Sequence, residues 1–237
     1  MGCAFFVILI VGDFDNDLFW FENTQLYYII VYKRTVKGGI TMTAEKIKSF
    51  LRENNGQITR KDAENLNIYP TVLSRLVKSG QLERVERGVY IDPNIFEDDM
   101  FVLQYKYSKG IYFKDTSLFL HGMIDRTPDK YDMNFPSQYS NSDLKKYPIR
   151  MHRQIDSLYT MGIEEIQSPG NHLIKTYNIE RTLCDIVRGR DKSDMETIKQ
   201  AMNSYIDRPD KNLGQLFDYA KKLKVEKIIG TYMEILL

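Results

Sequence analysis

Residues 59–92 read TRKDAENLNIYPTVLSRLVKSGQLERVERGVYID, and this stretch decides the fold of the first part of the chain. Thr59 followed three residues later by Asp62 has the spacing of a capping box, so a helix is predicted to start there. Ala63 and Leu66 form its inward face, and Asn67-Ile68 is a tight connection. Pro70 suits the first turn of the next helix, where its missing N–H costs nothing. Val72, Leu73, Leu76 and Val77 recur at helical spacing as a buried stripe. Gly80 stands where that helix can end in left-handed backbone. Beyond it Leu82, Val85 and Val89 alternate with Glu83, Arg84, Glu86 and Arg87, the pattern of a short hairpin turning near Glu86-Arg87-Gly88.

Upstream, residues 43–56 (TAEKIKSFLRENNG) place Ile47, Phe50 and Leu51 on one helical face and stop at the turn-forming Asn54-Asn55-Gly56. Three helices and a hairpin within residues 42–92 predict a winged helix-turn-helix, a motif whose third helix enters the major groove. With the buried stripe removed, that helix exposes Thr71, Ser74, Arg75 and Lys78. Arg75 can fork two donors onto guanine. Thr71 and Ser74 are short hydroxyls able to approach a base or a phosphate, and Lys78 suits a phosphate. Thr59, Arg60 and Lys61 open the second helix, where backbone N–H groups and positive charge favour phosphate. Arg84 and Arg87 fall on the wing, beside a minor groove or backbone. Residues 42–92 hold nine Lys/Arg against seven Asp/Glu, so the basic character is local to one face.

The whole chain of 237 residues carries a net charge of +1, which by itself announces no nucleic-acid partner. A hydrophobic content of 43% with 27% charged residues describes a globular chain able to bury real cores. Cys3 and Cys184 are too few and too distant for a disulfide framework or a zinc site, and a reducing cytoplasm fits them. Residues 1–41 read as misassigned upstream translation or an unstructured arm. Lys37-Gly38-Gly39 has codons that can spell a ribosome-binding sequence ahead of Met42. CAFFVILIVG (3–12) is too short to span a bilayer and lacks the flanks of a signal peptide. Asp13, Asp15 and Asp17 open like a calcium loop, but Leu18 and Thr24 occupy the positions that need Gly and Glu.

Residues 93–237 read as a second domain, a mixed sheet followed by helices. After a linker at 92–100, FVLQYKYS and DTSLFLHG read as helices. GIYF, KYDMNFP, YPIRMHRQI, MGIEEIQ and HLIKTYNI read as strands. Asn178, Ser193 with Glu196, and Asn212 are placed to cap the later helices. The expected class is therefore α+β, a winged helix-turn-helix followed by an α/β domain ending in helices. Lys145, Lys146, Arg150, His152 and Arg153 form the densest basic stretch outside the first domain, with Arg150 and His152 on one face of a strand. They are a possible second basic surface or an ordinary solvated edge. His121 lies in an apolar helix without a second ligand at metal spacing, as a hydrogen-bonded core histidine does. Glu180, Arg181 and Asp185 sit near a helix start, and Arg181 with Asp185 reads as an i, i+4 pair.

In this order and spacing, RGVY (87–90), SLFLHGMIDRTP (117–128) and YNIERTLCDIV (177–187) give the chain from about Met42 onward its resemblance to the AbiEi-type antitoxins of bacterial abortive-infection, type IV toxin–antitoxin systems. The resemblance implies a cytoplasmic, non-enzymatic regulator active in antiviral defence. Its first domain would bind double-stranded promoter DNA at inverted repeats and repress its own operon. Its second would act as antitoxin against a co-encoded nucleotidyltransferase toxin, without a stable complex. The protein would be monomeric in solution or would pair on DNA. No catalytic residue, cofactor or metal ligand is expected, and no membrane partner.

Two other readings compete. Asp129 with Glu165-Ile166-Gln167 faintly resembles the carboxylates of a metal-dependent nuclease, although glutamine replaces the activating lysine. Alternatively, the winged helix serves only for protein contact.

Overall fold

The computed structural model describes residues 43–189 and 194–236, together with the backbone of two short strands, β1 (Val7–Leu9) and β2 (Phe19–Phe21). These two pair antiparallel with Ile8 opposite Trp20. The start-site reading of residues 1–41, the calcium-loop positions and Cys3 otherwise lie outside the described residues. The chain divides into two compact units, Met1–Ile95 and Phe96–Leu237. Both mix helices with sheet, so the α+β class read from the sequence holds.

In the amino-terminal unit, α1 (residues 43–53) is followed by β3 (Gln57–Thr59), α2 (Arg60–Asn65), α3 (Pro70–Lys78), β4 (Glu83–Glu86) and β5 (Val89–Ile91). The strands form one antiparallel sheet in the order β3-β5-β4, with Ile58 opposite Tyr90. The core is Ile47, Leu51, Ile58, Ala63, Ile68, Leu73, Leu76 and Leu82, the apolar positions that repeat at helical or strand spacing. Both inner helices end in the same way. Asn67 adopts φ +57° after α2, and Ile68 N donates to Ala63 O at 2.7 Å. Gly80 adopts φ +70° after α3, and Gln81 N donates to Leu76 O at 2.9 Å. Each bond satisfies a carbonyl that the helix end would orphan. The hairpin turns at Gly88, with a bulge between Arg84 and Glu86. Strand β3 is not anticipated by the sequence reading, because three residues carry no usable alternation and become a strand only by pairing with β5.

In the carboxy-terminal unit, the elements run α4 (Asp99–Lys106), β6 (Ile111–Tyr112), α5 (Lys114–Leu120), β7 (Tyr131–Pro136), a 3-10 turn (Ser142–Lys146), β8 (Ile149–Gln154), α6 (Asp156–Tyr159), β9 (Ile163–Gln167), β10 (Leu173–Tyr177), α7 (Ile179–Arg188), α8 (Met195–Ile206), α9 (Leu213–Leu223) and α10 (Glu226–Leu236). The sheet order is β8-β7-β6-β10-β9. β7 runs parallel to β8 and β6 parallel to β10, while the β6/β7 and β9/β10 pairs are antiparallel. Helix α7 packs against α5, α8, α9 and α10. Its Leu183, Ile186 and Val187 join Leu118, Ile198, Tyr205, Leu216 and Ile229 in the main core. Asn178 and Asn212 cap α7 and α9 as expected. The cap of α8 is Asp194, whose side chain accepts from Glu196 N at 3.2 Å; Ser193, the expected cap, lies outside the described residues.

Candidate nucleic-acid interface

The structure exposes Thr71, Ser74, Arg75 and Lys78 together on α3, while Leu73 and Leu76 are buried and Val72 and Val77 pack on the core beneath. Among the described residues neither Arg75 nor Lys78 has an acid partner. Ser74 Oγ donates back to Pro70 O at 3.2 Å. On the hairpin, Arg84 and Arg87 are both exposed, and Arg84 Nε donates to Glu86 O at 3.3 Å.

Helix α2 behaves differently from the expectation. Thr59 is a buried cap and not a surface group: its hydroxyl accepts from Asp62 N at 3.1 Å and donates to Asp62 Oδ2 at 2.6 Å. Thr59 N also donates to the Asp62 carboxylate, at 2.9 Å, which closes the box. Arg60 N donates to Gly88 O at 2.7 Å, tying the helix start to the hairpin turn. These N–H groups are therefore spent within the fold. Of the three residues, Thr59 is withdrawn from the surface and Arg60 bonds Glu64 at 2.9 Å, so Lys61 alone stays exposed and, among the described residues, free of an acid partner. By contrast α3 begins at Tyr69-Pro70 without a side-chain cap. Tyr69 is 77% exposed. The sequence reading passed over it, although an aromatic before Pro70 that fits no place in the apolar stripe is a signal.

The expected basic stretch of the second unit divides. Lys146 bonds Asp143 Oδ1 at 2.6 Å. Arg150 and His152 do share a face of β8, and both turn to the buried Asp132, at 3.0 Å and 2.5 Å. Of this stretch only Lys145 and Arg153 remain exposed without an acid partner among the described residues.

His121 and the Glu180-Arg181-Asp185 cluster prove structural in geometry. His121 Nε2 donates to Tyr177 O at 2.8 Å, and burial lowers the imidazole pKa below its ordinary value. Arg181 is more than a helix-surface pair, because its side chain is fully buried. It bonds Asp185 Oδ2 at 2.6 Å, Gln154 Oε1 at 2.8 Å and Leu158 O at 2.8 Å, and lies over the Tyr177 ring. Burial raises the Asp185 carboxyl, with Arg181 pulling the other way. Glu180 accepts from Asn212 N at 3.1 Å and from Tyr205 Oη at 3.2 Å. Ser117, from the other quoted motif, donates to Tyr177 O at 3.0 Å. Two of the three motifs that carry the resemblance thus meet in one buried polar network.

The nuclease-like pair fails geometrically. Asp129 precedes β7 and Glu165 lies on β9, and strands β6 and β10 stand between them. That separation is about 14 Å at the spacing of neighbouring strands, too far for one metal to bridge. No group of metal-binding residues occurs among the described residues, and no helix among them is long and apolar enough to cross a membrane.

No curated protein matches the sequence. Among solved structures, the crystal structure of the RV2827C protein from Mycobacterium tuberculosis is similar at a TM-score of 0.45, with 12% identity over 77% of this chain and 76% of that one. The family model described as a transcriptional regulator, AbiEi antitoxin, matches residues 45–91, the span of the three helices and the sheet. Residues 45–91 therefore carry the sequence pattern of the AbiEi antitoxin family of transcriptional regulators.

Proposed function

We propose that the amino-terminal unit is a winged helix-turn-helix that binds promoter DNA and represses its own operon, and that the carboxy-terminal unit supplies antitoxin activity. The observation that carries the DNA reading is the exposed polar face of α3, with Arg75 and Lys78 free of acid partners among the described residues. Here α3 enters the major groove, Arg75 reads guanine, and Thr71 and Ser74 meet neighbouring edges or phosphates. At the start of α3 Pro70 has no N–H and Val72 N donates to Tyr69 O at 2.9 Å, so the Thr71 N–H and the exposed Tyr69 side chain are the donors left for a phosphate there. Lys61, Lys78, Arg84 and Arg87 add phosphate contacts, Arg60 joining them once it releases Glu64. Inverted repeats seat two protomers, and the antagonist is a nucleotidyltransferase toxin opposed without a stable complex. The protein acts in the cytoplasm, in abortive infection.

The two roles separate in cells. A reporter driven by the protein's own promoter should be repressed by the full chain and released by Arg75→Ala. The same variant should still restore growth in cells expressing the toxin. An Arg75→Ala protein that represses normally removes α3 as the reader. One that neither represses nor protects, while remaining folded, removes the division of labour.

A further inference from the structure

The carboxy-terminal unit holds a cleft of about 370 Å³ that the DNA reading does not employ and whose wall includes Gln154 and Asp185 of the buried network. Lys114 at the start of α5, His152 and Arg153 on β8, and Arg188 and Gly189 at the end of α7 line it, with the Phe113 ring in its wall. Among the described residues neither Lys114 nor Arg188 is in an ion pair. Two of the described acids nearby are already engaged. Asp185 is held by Arg181 at 2.6 Å, and Asp132 by His152 and Arg150. Burial, reinforced by Asp132, raises the Asp115 carboxyl above its ordinary value, and one of its oxygens is buried without a hydrogen-bond partner.

Two backbone features favour placement of the Lys114 ammonium here. Lys114 adopts φ +48°, a left-handed conformation that a lysine takes only at a cost. Gly189 leaves the space the ammonium needs, since a Cβ there would stand 2.4 Å from Lys114 Nζ. Its own φ of −96° does not require glycine, so the missing side chain serves proximity alone.

We infer that this cleft binds a polyphosphate or phosphoester anion, with Lys114 and Arg188 as its cationic ligands; Arg153 projects from the opposite face of β8 and takes no part. A lone carboxylate needs one such partner, whereas two cations without an ion pair among the described residues match the charge of a phosphate dianion. The volume lies within the range of small-ligand sites, and Phe113 and His152 offer an aromatic wall to an organic part.

The test is isothermal titration calorimetry on the full chain with inorganic pyrophosphate, AMP and ATP, beside sulfate at matched ionic strength. Pyrophosphate and ATP should bind and raise the melting temperature, and sulfate should not. Equal affinity for both identifies free polyphosphate chemistry, while tighter ATP places a nucleoside against the aromatic wall. Arg188→Gln and Lys114→Gln should each weaken binding about tenfold or more, as loss of a charged hydrogen bond does. Gly189→Ala should leave the unliganded melting temperature unchanged and still weaken binding, because only the flexible Lys114 tip must move. Lys227→Gln on α10 is the neutral control. No binding of any of the three anions at millimolar concentration, or binding undiminished in folded Arg188→Gln and Lys114→Gln, overturns the assignment and leaves the DNA reading standing.

Discussion

Arg75 and Arg181 are both helical arginines, and they differ in every physical respect. Arg75 stands on α3 with its guanidinium in solvent and no acid partner among the described residues. Arg181 is fully buried and donates to a carboxylate, a side-chain amide and a main-chain carbonyl. The same contrast runs through both units. In the first, cations project from a helix and a hairpin laid over an apolar core. In the second, many charged groups turn inward: Asp98 to His172 and Ser168, Asp132 to Arg150 and His152, Arg181 to Asp185. Charge left in solvent is available to a partner, whereas charge bonded inside holds elements in place.

The most severe break of this contrast is Arg181→Ala. It leaves Asp185 and two other acceptors buried without their donor, and should cost about 3–5 kcal/mol of unfolding free energy. Denaturant unfolding monitored on the full chain checks it; a loss below about 1 kcal/mol would show that the network is not structural. Next comes Arg75→Ala, expected to cost about 1–3 kcal/mol of operator binding while unfolding stays unchanged. Thr59→Ala sharpens the comparison within the first unit, because Thr59 is a buried cap. It should cost about 1 kcal/mol of stability and leave the preference between duplexes intact. Lys78→Ala has the smallest effect, lowering affinity for all sequences alike and reducing the salt slope by about 1.

The Asp98 cluster adds a dependence on pH. Burial pushes the Asp98 carboxyl up, but hydrogen bonds from His172, Ser168 and Phe101 N outweigh it and hold the pKa below its ordinary value. A depressed folded pKa favours the native state when the carboxyl is ionised. That stabilisation is fully present above the unfolded value of about 3.9 and is lost as pH falls through the folded one. Asp98→Asn should therefore destabilise at neutral pH, and the difference from wild type should shrink under acid. A difference that stays constant down to pH 2 would contradict the ionised cluster.

Much of the first unit was readable because its signals are local. The Thr59–Asp62 box, Pro70, Gly80 and the turn at Gly88 each act within a few residues, and subtracting the apolar stripe isolates Thr71, Ser74, Arg75 and Lys78. The reading overreached at Thr59, since a cap and a phosphate ligand use the same hydroxyl and only burial tells them apart. In the second unit the strands and most helices were visible, but what their charges do was not. An i, i+4 Arg/Asp spacing suits an exposed helix face and a buried one equally. The order β8-β7-β6-β10-β9 is set by long-range pairing, and the cationic cleft draws on segments far apart in sequence. Neither leaves a local trace.

The most direct test is fluorescence anisotropy of the full chain on the duplex immediately upstream of its own gene, beside a scrambled duplex, at several salt concentrations, with wild type and Arg75→Ala. The account predicts tight binding to the native duplex that weakens steeply and log-linearly with salt, and a preference for it that Arg75→Ala reduces. Equal weak binding to both duplexes, or a preference untouched by Arg75→Ala, would contradict α3 as a reader of DNA.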